Sequence, residues 1–341
     1  MSTSIHFEKL SAISDVIISE EINFIQLRDS LHEMKSVFNI ISEIDTENPA
    51  FDKDIYHETG KAIGPKWAEL CIDDIMRTKR FSKGTFHAIT DLLKTKKTNE
   101  PVTLLYVGTG PYATLVMHLV TKFKPEELQF IFVEVNPTSV DSLKNCIKNL
   151  GVEAYVKSII STDAVRLQLE NAHEIDILLL ECLQFALVKE QQVALTYNLI
   201  SQLKKEVILL PEEIKLSICL IDSNAKMRNS ISDGNEPFYK NINTIFVLNK
   251  EEIHKRSATL VRDELLTFEP ITTSIPSDRE NYNRISINTE IVVYGNEKLE
   301  IDECSLTMNY KLNDLENIKS CQAVATQYIV SEVPSFKVDW I

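Results

Sequence analysis

Glu174-Ile-Asp-Ile-Leu-Leu-Leu-Glu181-Cys-Leu-Gln-Phe-Ala-Leu-Val-Lys-Glu190 is the stretch whose reading decides the fold. Residues 175–180 form a short Ile/Leu run broken only by Asp176, the pattern of a strand buried on both faces. The run stops at a carboxylate, Glu181, and a second carboxylate, Glu190, follows nine positions on. Ligands of open α/β sheets bind beyond the carboxyl ends of the strands, which is where Glu181 falls. A returning loop brings Glu190 to face it. Two facing carboxylates suit a planar cation, and a guanidinium with its fork of N–H donors suits them best.

Working outward, the neighbouring segments alternate strand and helix. Strands are expected over 102–107, 128–135 and 154–160, and helices over 114–122, 138–150 and 191–204, with Gly151 closing the second helix. A βαβαβαβ order gives a mostly parallel, doubly wound sheet with right-handed crossovers. Upstream, Phe24, Leu27, Leu31, Met34, Phe38 and Ile41 recur at steps of three and four, a narrow helical seam for this chain or for a dimer partner. Asn48-Pro49 breaks that seam, and a second helical block is expected over 57–93. The polar 94–101 segment reads as a linker. After Pro211 the period changes to two, in 214–220 and 285–293, and Gly295-Asn296 marks a hairpin into 299–310. Short strands follow over 323–330 and 336–340, so the last third is an antiparallel β domain. Residues 222–282 read as irregular. The expected divisions are an N-terminal helical region over 1–56, a catalytic domain over 57–210 and a β domain over 211–341.

Bulk properties narrow the classes. The 341 residues are 44% hydrophobic and 25% charged, an ordinary globular composition. A net charge of −14 argues against a surface that coats nucleic acid or anionic membrane. No apolar run approaches the roughly 18 residues of a membrane span. The first residues show no secretion signal. Six scattered cysteines without C-x-x-C spacing imply reduced thiols and no metal site. A cytoplasmic location follows as the default expectation.

Strand, Gly108-Thr109-Gly110, then helix is a nucleotide-type turn, where small residues let backbone approach a ligand at a helix N-terminus. Ala113 stands where the dinucleotide fingerprint has its third glycine, and the P-loop Lys-Ser/Thr pair is missing. Glu134, 24 positions beyond Gly110, ends the second strand and is placed to hold ribose hydroxyls. Asp163, at the end of the third strand, is placed to accept from an adenine amine. A nucleoside cofactor without phosphates fits this set, and S-adenosylmethionine is one.

Leu105-Tyr-Val-Gly-Thr-Gly110, Phe132-Val-Glu134 and Thr162-Asp-Ala164 resemble the successive motifs of class I S-adenosylmethionine-dependent methyltransferases. The Glu181…Glu190 spacing resembles the double-glutamate loop of protein arginine methyltransferases. Leu209-Leu-Pro-Glu-Glu-Ile-Lys-Leu resembles the family's entry into its C-terminal β-barrel, and Asp74-Ile-Met-Arg77-Thr-Lys-Arg-Phe81 its cofactor-binding helix. The family's Thr-His-Trp motif is absent; Val338-Asp-Trp340 is nearest. With Glu58-Thr-Gly-Lys-Ala-Ile63 ahead of that helix, the chain is similar to bacterial enzymes that methylate free L-arginine in N-nitrosourea biosynthesis.

The resemblance implies a Rossmann-like sheet, an N-terminal helical region and a C-terminal antiparallel β-barrel-like domain. It implies a methyl transfer from S-adenosylmethionine to a guanidino nitrogen of arginine, free or peptidyl, in a homodimer and without metal. Glu181 and Glu190 are then catalytic. Arg77, Gly108, Thr109, Gly110, Glu134, Asp163 and Ala164 are then cofactor residues, with Arg77 on the methionyl carboxylate. Methylation of another cationic small molecule, and a non-catalytic cofactor-binding scaffold, are the competing readings.

Overall fold

The computed structural model describes residues 5–44, 49–96, 98, 100–232, 234–257 and 266–341. The expected break at Asn48 and the linker residues Lys97 and Asn99 lie outside the described residues.

Two helices open the chain, α1 (Ile5–Ile18) and α2 (Phe24–Ser42). Five residues of the expected seam, from Leu27 to Ile41, are at most 2% exposed, whereas Phe24 is 59% exposed. The seam is buried on this chain. The carbonyls of Ile41 and Ser42 accept from Asn149 Nδ2 (2.8 Å) and Asn145 Nδ2 (3.1 Å) on the helix over 137–150. A dimer contact therefore has to use another surface.

The segment expected as helix from residue 57 begins instead as a hairpin, β1 (Ile55–His57) and β2 (Gly60–Ala62). Strands of three residues are too short to show a period, so sequence alone missed them. Helix α3 (Pro65–Leu70) starts at a proline on its first turn, and α4 (Ile75–Thr95) follows.

The parallel sheet comes next, with β3 (Val102–Val107), α5 (Thr114–Met117), β4 (Leu128–Glu134), α6 (Pro137–Leu150), β5 (Val156–Ser161), β6 (Ile177–Leu180), α7 (Gln192–Ile200) and β7 (Ile208–Leu210). Its spatial order is β5-β4-β3-β6-β7, all pairs parallel. Every residue of β3 and β6 is buried, as the uninterrupted apolar runs require. α6 ends as read, with Gly151 at φ +70°, and its start is capped as well: Asn136 accepts from the Thr138 and Ser139 amides. The one polar residue in the decisive run, Asp176, staples the amino end of the sheet. It accepts from Lys96 Nζ and Lys204 Nζ, each at 2.7 Å, and from the Thr103 amide at 3.0 Å. Burial pushes its pKa up, but the Lys204 and Lys96 ammoniums more than reverse this and hold it below the ordinary value.

The last third is antiparallel. Its elements are β8 (Glu213–Ile221), α8 (Ser223–Ser232), β9 (Tyr239–Asn249), α9 (Lys250–Ser257), β10 (Ile271–Ser274), β11 (Arg284–Tyr294), β12 (Glu297–Leu299), β13 (Tyr310–Asp314), β14 (Ala323–Ile329) and β15 (Ser335–Trp340). One sheet runs β12-β11-β8-β9 with β13 also on β11, and the other runs β10-β14-β15. The first sheet is curled, a half-barrel. Residues 222–282, expected to be irregular, hold four of these elements. Only Ala225 is buried in α8, and the amino half of β9 is exposed or half-exposed, so neither shows an apolar period. The expected strand over 299–310 is also corrected: β12 ends at Leu299, Asp302 turns through φ +63°, and pairing resumes at Tyr310. Helix α4 packs against β11 and β12 as well as β3 and so joins the two halves. A Cβ on its Gly84 would lie 2.7 Å from Val293 Cγ1 of β11.

Candidate active site

Strand order reverses between β3 and β6, and the crevice beyond their carboxyl ends is where doubly wound sheets hold ligands. A cleft with about 870 Å3 of empty space, open mouth included, lies there. Arg77, Gly108, Thr109, Gly110, Glu134, Asp163, Ala164, Glu181 and Glu190 all line it. The fold thus brings every expected site residue to one place.

The floor is the turn after β3. Gly108 has φ +74°, and a Cβ there would lie 2.2 Å from Cys182 Sγ. Gly110 has φ +57° and would meet Ala68 Cβ at 3.1 Å. Both positions favour glycine for conformation, and Gly108 for space as well. Ala113 also takes positive φ, 47°, and starts α5. The N-terminal helices back this turn: Tyr112, fully buried, packs tilted against Phe38 with ring centroids 5.3 Å apart and donates its hydroxyl to Asn39 Oδ1.

Glu134 reaches back under the turn. Its Oε2 accepts from the Gly110 amide and its Oε1 from the Asn136 amide, both at 2.8 Å. Burial raises its pKa despite these donors. A carboxylate has about four acceptor positions, so it can also accept from ligand hydroxyls beside these amides. Asp163 is more engaged than expected. Its Oδ1 accepts from the Val165 amide at 3.0 Å, and its Oδ2 lies 3.1 Å from His57 Nδ1 of β1.

The wall opposite is ionic. Arg77 Nη2 donates to Glu181 Oε2 at 2.6 Å, and the two side chains are 10% and 8% exposed. The sequence reading gives Arg77 to a cofactor carboxylate; the structure gives its guanidinium a partner within the chain. Glu181 Oε1 is buried with no hydrogen-bond partner. A buried carboxylate oxygen without a donor is costly, so this atom marks where a ligand's N–H is wanted. Burial raises the Glu181 pKa, against the pull of Arg77. Glu190 is pushed up to about 7, by burial first and by the Glu181 charge second.

Several positioning groups were missed in the sequence. Gln192, 1% exposed, bridges the backbone on either side of Glu181: its Oε1 accepts from the Cys182 amide (2.9 Å) and its Nε2 donates to the Leu180 carbonyl (3.3 Å). The β1–β2 hairpin lies over the loop. The Lys61 amide donates to the Lys189 carbonyl at 2.9 Å, and Gln191 Nε2 donates to Thr59 Oγ1 at 2.9 Å. Gly60, at φ +132°, would place a Cβ 2.9 Å from the Glu190 carbonyl carbon. A Gly between two short apolar segments was the one signal of this close approach. Among the described residues no cluster of His, Cys, Asp and Glu could hold a metal ion, and no helix is long and apolar enough to cross a membrane.

No family model matches the chain, and no curated protein matches it in sequence. Solved structures do match in shape. PRMT6-SAH superposes with a TM-score of 0.54 at 9% identity, over 81% of this chain and 99% of that one. PRMT6 alone gives 0.53 at 9% identity, over 80% and 98%. The Trypanosoma brucei PRMT1 enzyme-prozyme heterotetrameric complex with AdoHcy gives 0.49 at 14% identity, over 79% and 92%. The chain therefore has the fold of the PRMT6 structures: N-terminal helices, a Rossmann-like parallel sheet and a curled antiparallel half-barrel.

Proposed function

We propose that this protein transfers a methyl group from S-adenosylmethionine to a guanidino nitrogen of arginine, with free L-arginine as substrate. The observation that carries the reading is the pair Glu181 and Glu190, both buried in one cleft, with Glu181 Oε1 lacking a donor. The residues fit the cofactor. Gly108 and Gly110 give the turn its positive φ beside Cys182 and Ala68 of the cleft wall, Glu134 can accept from ribose hydroxyls, and the N–H groups of Arg77 not used by Glu181 can donate to a carboxylate. PRMT6-SAH, of the same fold, supports this choice of cofactor. When bound, the cofactor supplies a methyl already activated on a sulfonium.

The chain's own residues then do three things. Glu181, fixed by Arg77 and by the Gln192 bridge, accepts from one N–H of the substrate guanidinium through Oε1. Glu190 accepts from a second. Held at two points, the nitrogen is oriented toward the methyl, and positioning supplies most of the acceleration. As the N–C bond forms and the S–C bond breaks, the nitrogen must lose a proton. Glu190, with a pKa near neutrality, is suited to take it.

Free arginine is favoured by Lys61, which lines the cleft beside Glu190; its ammonium already pairs with Asp54 Oδ2 at 2.6 Å, so a substrate carboxylate would join that pair rather than meet a free cation. The likeness to bacterial free-arginine enzymes at 58–63 points the same way. We take the enzyme as a cytoplasmic homodimer, which sedimentation at micromolar concentration tests. The substrate is tested by giving free L-arginine and an arginine-rich peptide together and reading each by mass. Methyl on the amino acid supports the reading. Methyl on the peptide alone moves the assignment to peptidyl arginine. Cofactor binding without transfer to either favours a scaffold.

A further inference from the structure

The loop between the two glutamates has an unusual backbone. Ala186, Leu187 and Lys189 all sit at positive φ, 56°, 54° and 69°, and none is glycine. Each is a conformation that L-residues avoid, so three in four positions persist only where the surroundings impose them. The loop's own hydrogen bonds are few: the Leu187 amide to the Gln184 carbonyl (3.0 Å), Val188 to Phe185 (3.5 Å) and Glu190 to Val188 (2.9 Å).

Besides the Lys189 carbonyl, which accepts from the Lys61 amide of the β1–β2 hairpin, three polar groups of the turn go to the C-terminal strands and the residue before β15. Thr289 Oγ1, on β11, accepts from the Ala186 amide at 2.8 Å. Tyr328, on β14, donates its hydroxyl to the Leu187 carbonyl at 2.7 Å. The Pro334 carbonyl, just before β15, accepts from the Lys189 amide at 2.8 Å. Thr289 is fully buried and Tyr328 is 2% exposed, so water does not compete for these bonds. The Tyr328 ring is itself fixed edge-on by Phe268 and Phe336, with centroids 5.7 Å and 5.2 Å away.

We propose that Thr289 and Tyr328 are positioning residues for the carboxylate pair: the C-terminal strands hold residues 185–189 in their left-handed turn and thereby set where Glu190 stands opposite Glu181. Both antiparallel sheets, the half-barrel through Thr289 and the β10-β14-β15 sheet through Tyr328, thus help to position the site although neither residue touches substrate. The kinetic side of this inference rests on the arginine reading above; the structural side does not.

The variants are chosen to keep packing. Tyr328→Phe keeps the ring and removes the hydroxyl. Thr289→Val keeps the shape and removes the acceptor, and Thr289→Ser restores it. Amide hydrogen exchange on the ligand-free protein reads the pin directly. Exchange over 185–190 accelerates roughly tenfold in Tyr328→Phe and Thr289→Val, stays near wild type in Thr289→Ser, and is unchanged over 102–134. Unchanged exchange at 185–190, or acceleration spread through both sheets, overturns the inference whether or not the protein turns over. In the kinetic arm, kcat with L-arginine falls roughly tenfold in the first two variants and recovers in Thr289→Ser, while S-adenosylhomocysteine affinity stays within about twofold. Equal kcat in all variants overturns the positioning role. A wild-type protein that methylates no guanidine sinks the arginine reading alone and leaves the exchange result to judge the pin.

Discussion

Replacing Glu190 by glutamine should make the ligand-free protein more stable at alkaline pH while removing its activity. The carboxyl is 7% exposed, and its pKa stands at about 7 rather than the ordinary 4.5. A pKa raised on folding means the folded chain holds a proton that the unfolded chain has lost, so stability declines as pH rises through that window. The rise from 4.5 to about 7, at 1.36 kcal/mol per pH unit, makes the ionised side chain a burden of about 3 kcal/mol at pH 8. At pH 4.5 nearly all of it is absent, because the folded carboxyl is protonated and the unfolded one about half so. Glutamine fills the same volume without charge. For a chain of this length about 3 kcal/mol corresponds to about 4 °C in melting temperature. Thermal melts of variant and wild type, compared at pH 4.5 and pH 8, should give near-equal values at the first and a variant melting higher by that amount at the second. Taking the difference at each pH removes the titration of all other groups. The same variant should bind S-adenosylhomocysteine like wild type and transfer no methyl. Equal melts at pH 8 would show that Glu190 is not a desolvated carboxylate, and the argument from burial would fall.

Other consequences are as direct. L-arginine binding at pH 7 draws Glu190 toward its anion, so calorimetry in two buffers of different ionisation enthalpy should find about half a proton released, and less at pH 8.5. The kcat/KM for L-arginine should accordingly rise with pH through about 7. Glu134→Gln, which leaves an amide NH2 facing the Gly110 or Asn136 amide, should weaken S-adenosylhomocysteine binding by roughly tenfold or more in calorimetry. Gly108→Ala should abolish cofactor binding, and adding Cys182→Ala should restore part of it, because the clash is with that sulfur while the φ of +74° remains.

How much of this was legible follows from range. The parallel sheet showed itself because β3 and β6 are apolar runs buried on both faces, and their carboxyl ends carry the polar residues that line the cleft. The glycine turn and Glu134 were readable for the same reason: short motifs at fixed places on successive strands. Arg77 was read only as a cofactor contact; nothing local shows that it also has a partner within the chain in Glu181, 104 residues away. The hairpin over the site was hidden by strands of three residues. Thr289 and Tyr328 meet the double-glutamate loop across 103 and 141 residues, and on their own strands they read as ordinary β positions. The α8 and β9 elements were missed where exposure leaves no apolar period to count. Motifs therefore named the residues of the cleft, while the ties between them needed coordinates.

The central claim is that a flat cation is gripped by Glu181 and Glu190. The most direct test measures L-arginine binding beside L-citrulline, its uncharged isostere, to the protein saturated with S-adenosylhomocysteine. Arginine should bind, citrulline should not, and Glu181→Gln and Glu190→Gln should each abolish the difference. Comparable binding of both compounds, or arginine binding that survives both substitutions, would contradict it.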